Sequence, residues 1–122
     1  MIRNFLLVAA GGGIGTMLRY AVYLLFRINN FPLATLLINI AGSFIIGLIM
    51  AFSLKSTDSL PDASRLFLVT GLCGGFTTFS AFSYENLQLM QSGKYNLAFL
   101  YILLSVVFGL LAAWTGFKMI NT

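Results

Sequence analysis

Long apolar runs separated by short polar connections organise this chain. Phe5 to Phe26 is interrupted only by Arg19, Phe31 to Leu54 carries no charge, and Tyr95 to Phe117 is again uncharged. Between the last two, Leu66 to Tyr84 is uncharged and its apolar pattern continues past Glu85 to about Met90. A helix that crosses a bilayer needs about 20 mostly apolar residues. The pattern therefore predicts four transmembrane helices, at about 4–26, 31–54, 66–91 and 95–118, in a single transmembrane domain over residues 1–122. The connections, Arg27 to Asn30, Lys55 to Arg65 and Ser92 to Lys94, are short. The competing reading of the first span is a cleaved leader, with Arg3 ahead of it and the small residues Val8-Ala9-Ala10-Gly11 inside it. Its uninterrupted apolar stretch, Phe5 to Ala10, is shorter than a usual signal core, so the span is read as retained.

Composition narrows the function. Of 122 residues, 59% are hydrophobic and 8% charged, whereas an ordinary soluble domain is about a quarter charged. The net charge of +4 comes from singly scattered residues, with no basic stripe for nucleic acid. There is no His, and Cys73 is the one cysteine, which removes His-based catalysis, His/Cys metal sites and intrachain disulfides. A soluble enzyme is excluded, and no nucleophile–base pair or paired carboxylates suggest a membrane-bound one. Four spans put Arg3, Lys55, Arg65 and Lys118 on one side, and Arg27 and Lys94 on the other. That split instructs orientation weakly. It leaves open one orientation with cytoplasmic termini, or insertion both ways with pairing to an inverted copy. No internal repeat is visible, and four helices are too few to enclose a pore and pack it, so an oligomer is expected.

Polar residues at membrane depth are costly and mark candidate function. In the first span, Gly11 and Gly15 form a close-packing face, while Arg19 either snorkels to the interface or lines a vestibule that attracts anions. Asn39, near the middle of the second span, offers an amide for an interhelical hydrogen bond or for an anion. In the third span, Gly74-Gly75-Phe76-Thr77-Thr78 joins weak helix formers in a row, which predicts a break at mid-membrane. The alternative is a packing seam through Gly71 and Gly75. A break would free carbonyl oxygens of the kind that hold cations in transporters. Beyond it, Phe79 and Phe82 share a helix face beside Ser80 and Ser83, and Glu85 follows as the only intramembrane acid. Ring edges are positive and can hold an anion weakly alongside hydroxyl donors, as conduction requires. Tyr101 and Ser105 share a face in the fourth span, with a bundle hydrogen bond as the alternative role for Tyr101.

These blocks together resemble the Fluc (CrcB-type) family of fluoride ion channels over nearly the whole chain. The resemblance rests on Gly11-Gly12-Gly13-Ile14-Gly15-Thr16-Met17-Leu18-Arg19-Tyr20, on Thr35 to Phe44 with Gly47, on Gly71 to Ser83 running on to Glu85, and on Tyr101 with Ser105. It implies an antiparallel, dual-topology homodimer in the bacterial inner membrane that exports fluoride passively through two pathways along the subunit interface. It further implies that Phe79 and Phe82 present ring edges to the ion. Asn39, Ser80, Ser83 and Tyr101 would then supply donors, Arg19 would face the vestibule, and Glu85 would lie near the pathway. A structural, non-transported sodium ion is implied at the backbone carbonyls of Gly74 and Thr77. The chain departs from the family at Ala34, often Gly, and at Ala81, often Thr, while Gly109 and Ala113 carry no hydroxyl. Its polar track is therefore expected to be shorter.

Two other function classes compete with this reading. A four-helix, dual-topology multidrug exporter matches in size, but such exporters need a carboxylate in the first helix, where this chain has Arg19. Glu85 is the feature that keeps that alternative alive. A purely structural subunit of a larger membrane complex is the third.

Overall fold

The computed structural model describes residues 1–26, 31–55 and 61–120. The connection expected at Arg27 to Asn30, and most of the one between Lys55 and Arg65, lie outside these residues. The described chain is all helical: α1 (Ile2–Leu25), α2 (Leu33–Lys55), α3 (Asp62–Arg65), a π-helical stretch (Leu66–Cys73), α4 (Gly74–Phe76), α5 (Phe79–Gln91) and α6 (Tyr95–Ile120). Four stretches are long and apolar enough to cross a membrane: α1, α2, Asp62–Gln91 as one composite span, and α6. The chain is a multi-pass membrane protein.

Two glycine seams decide which helices pair. A side chain at Gly11 would run into the Phe67 carbonyl, and one at Gly15 into that of Leu72. In return, a side chain at Gly75 would strike the carbonyl of Gly12. The backbones of α1 and the first half of the third span thus meet directly, as small residues permit between membrane helices. The second seam joins α2 to α6: a Cβ at Gly47 would meet the Ala113 carbonyl, and one at Gly116 that of Phe44. The Gly71/Gly75 packing seam is real, and those glycines stay helical.

The break falls within the expected run, at the two threonines that end it. Thr77 (φ −83°, ψ 157°) and Thr78 (φ −150°, ψ 119°) are extended. Ahead of them, on the far side of the single turn α4, the third span is wound as a π-helix over Leu66–Cys73, a form that recurs at functional sites. Thr78 then caps α5, its hydroxyl accepting the Ala81 N–H at 3.1 Å, the usual service of an N-cap threonine.

Polar links close the two ends of the bundle. Lys55 donates to the Ile120 carbonyl at the end of α6 at 2.9 Å, and Arg65 donates to the buried Ser53 hydroxyl at 2.7 Å. At the other end, Gly93 adopts φ 77° and lets α5 finish in a Schellman turn. The Gly93 N–H reaches the Met90 carbonyl at 3.0 Å, and the Lys94 N–H that of Leu89 at 2.8 Å.

Candidate functional site

The site grows from the break. An extended pair of residues at membrane depth exposes backbone groups that no water can satisfy. Asn39, reaching across from α2, meets both groups of Thr78: its Nδ2 donates to the Thr78 carbonyl at 3.1 Å, and its Oδ1 accepts the Thr78 N–H at 2.9 Å. The amide is thus occupied by backbone, in the interhelical role, with one N–H of its NH₂ group left over.

This clasp and the Thr78 cap take the helical donors of two of the carbonyls at the break. In a continuous helix the Gly74 carbonyl would receive the Thr78 N–H, which Asn39 holds instead. The Thr77 carbonyl would receive the Ala81 N–H, which the Thr78 hydroxyl holds. Thr77 also turns its own hydroxyl back to the Cys73 carbonyl at 2.9 Å. Carbonyls stripped of helical donors suit a hard monovalent cation, and among the described residues no cluster of His, Cys, Asp or Glu competes for a metal. Beside the break, a cavity of about 400 Å³ is lined by Asn39, Gly42, Ser43, Thr77, Thr78 and Phe79, among others.

Past the break, aromatic rings form a row. Phe79 and Phe82 have centroids 5.7 Å apart, and Phe82 and Tyr101 are 5.0 Å apart. Phe31 adds an edge-on contact to Tyr101 at 5.5 Å. Phe79 is 77% exposed and Tyr101 fully buried, so the row runs from the open surface of this subunit into its core. Ser80 lies close by, its hydroxyl 3.2 Å from that of Thr78. Ser83 is exposed on the same helix.

Glu85 closes the row on its inner side. Tyr101 donates its hydroxyl to Oε1 at 2.8 Å, and Thr35 donates its hydroxyl to Oε2 at 2.8 Å. Thr35 is in turn 2.9 Å from the Tyr23 hydroxyl. The structure thus unites Phe79, Phe82, Tyr101 and Glu85 in one constellation and sets Asn39 and Ser80 at its break-side end. It leaves Ser105 and Arg19 apart from these hydrogen bonds: the Ser105 hydroxyl and Arg19 Nε are buried with no partner among the described residues.

Sequence reasoning gave no role to Thr35 or Tyr23 and read Thr78 only as part of the break. A signal existed for two of them. Thr35 precedes Asn39 by four residues and Tyr23 follows Arg19 by four, so each shares a helix face with a residue already under suspicion. Asn86 was also passed over. It is 5% exposed, and its amide donates to the Phe82 carbonyl at 3.0 Å.

Comparison with known proteins gives a consistent result. Residues 6–117 match the family described as "CrcB-like protein, Camphor Resistance (CrcB)". The chain is 48% identical over 118 residues to the fluoride-specific ion channel FluC of Flavobacterium psychrophilum, covering 94% of each protein. It is 43% identical over 121 residues to the fluoride-specific ion channel FluC of Thermus thermophilus, covering 97% of this chain and 95% of the relative. Against fluoride-specific ion channel FluC 1 of Listeria monocytogenes it is 42% identical over 119 residues, covering 95% and 96%.

Proposed function

The chain belongs to the CrcB-like family, and from that premise we propose that it is a fluoride-selective channel which lets fluoride leave the cell passively. The observation that carries the reading is the row Phe79–Phe82–Tyr101, lying between the open surface of the subunit and a carboxylate that receives two hydroxyls. Ring edges carry positive potential, and hydroxyl protons not already given to Glu85, such as that of the exposed Ser83, are the natural partners of a small, strongly hydrated anion. Weak contacts in series bind fluoride enough to enter and too little to stay. Arg19 raises the local anion concentration at the mouth, and Ser80, Ser83 and Ser105 extend the donors along the route. The protein is a channel rather than an enzyme, and its driving force is the membrane potential acting on an anion trapped by dissociation of hydrogen fluoride inside.

The exposed Phe79 ring and the open cavity at the break support a homodimer with the second copy inverted. In that arrangement Gly74 and Thr77 of each copy would offer carbonyls to one sodium ion on the two-fold axis. The ion would supply a fixed positive charge and would bind the two broken spans together. Its fit rests on the two carbonyls whose helical donors Asn39 and Thr78 have taken.

Purified protein in liposomes tests the proposal with fluoride- and chloride-selective electrodes. Rapid fluoride release without chloride release is expected in sodium buffer, and release of neither anion would overturn the channel reading. Exchange of sodium for a bulky organic cation is expected to lower fluoride release and to weaken the dimer on size exclusion.

A further inference from the structure

Tyr23 lies on α1, outside every polar block that points to ion conduction, yet its hydroxyl is 2.9 Å from Thr35 Oγ1. The direction of that hydrogen bond follows from counting protons. A threonine hydroxyl has one proton, and Thr35 gives its proton to Glu85 Oε2 at 2.8 Å. Tyr23 must therefore donate. The order is Tyr23 to Thr35 to Glu85, with Tyr101 donating to the other carboxylate oxygen at 2.8 Å from the opposite side.

Thr35 needs this direction imposed. It sits in the first turns of α2 (Leu33–Lys55), where a threonine hydroxyl ordinarily has a second choice, the carbonyl three or four residues earlier. Thr35 is fully buried, so water does not decide between them. The Tyr23 proton occupies a lone pair of Oγ1, and Thr35 then completes its hydrogen bonding by donating forward to Glu85. The ring of Tyr23 is only partly buried, whereas its effect falls on a group in the interior.

We propose that Tyr23 is a positioning residue for ion permeation: its hydroxyl proton, given to Thr35, holds the Thr35 O–H on Glu85 and so fixes the polar end of the aromatic row. This gives α1, which packs against the third span and carries Arg19, a second share in the pathway. The inference rests on the channel reading above.

A double-mutant cycle in liposomes separates the two. Tyr23→Phe keeps the ring and removes one hydroxyl, and it is expected to slow fluoride release about 2- to 10-fold, the range of one hydrogen bond. Thr35→Val is expected to slow release at least as much, and Thr35→Ser to restore it. Tyr23→Phe added to Thr35→Val should then cost nothing further, because the residue it acts through is gone. Infrared spectra give a readout that packing alone would not move. The Glu85 carboxylate band, identified by its loss in Glu85→Gln, is expected to shift in Tyr23→Phe. Wild-type release from the Tyr23→Phe variant, or a double variant whose loss is the product of the single losses, would overturn the assignment. Wild-type protein that releases no fluoride would overturn the channel reading instead, and the infrared shift alone would then decide the role of Tyr23.

Discussion

The third span contains two halves of opposite character. Before the break, Leu66 to Phe76 lies against α1 backbone to backbone, with glycines on both sides of the contact. After it, α5 carries an exposed phenylalanine, a carboxylate held by two hydroxyls and a buried asparagine. Between helices in lipid, where apolar burial gives little net drive, close backbone approach is the main source of cohesion. The first half supplies that cohesion, and it allows the second half to keep polar groups at depth that would destabilise a free helix. Anchor and proposed pathway are covalently one span, separated by two extended threonines.

The contrast can be broken most severely on the anchoring side. Gly15→Val puts a side chain onto the Leu72 carbonyl, a backbone atom that cannot step aside. A cost of about 3 kcal/mol or more is expected, seen as loss of monodisperse protein in detergent. Asn39→Leu strikes the junction. It strips two partners from Thr78 and is expected to cost about 2–3 kcal/mol, read as a lower thermal midpoint. Phe82→Ile lies on the pathway side and should reverse the pattern, with an unchanged midpoint but about tenfold slower fluoride release or worse, on the scale of an aromatic contact. The smallest effect sharpens the comparison: Gly13→Ala, two residues from Gly15, adds a methyl group that meets nothing within 4 Å. Stability is expected to change by under about 1 kcal/mol, with flux unaltered.

How much of this was legible beforehand depended on the range of the interaction. Run lengths suffice for four helices, because the bilayer imposes one requirement on every span. The break could be assigned to the Gly74–Thr78 run, but its residue could not. Glycine has the poorer helix propensity, yet Gly75 stays helical because the α1 backbone occupies the space beside it, and the extension moves to Thr77 and Thr78, where Asn39 is waiting. The π-helical turns of Leu66–Cys73 have no sequence signature at all. Phe79 and Phe82 were readable as a pair since three residues along a helix bring side chains together. Glu85 and Thr35 are 50 residues apart, and no local pattern announces that contact. Asn39 invited two uses of its amide, and only a fold can say which backbone lies opposite.

The clasp between Asn39 and Thr78 has a consequence for how the protein is made. Ribosomes deliver α1 and α2 to the membrane first, so Asn39 enters the bilayer with its amide unanswered, and the glycine face of α1 enters with nothing against it. Both wait for the same arrival. When residues 66 to 78 emerge, one span fills the α1 seam and gives Asn39 its two backbone partners, so assembly of the first two helices completes only on the third. The break is therefore a late joint, closed from outside its own helix, and a chain stalled before Thr78 would present quality-control proteases with an intramembrane amide and a bare glycine groove as marks of an unfinished product.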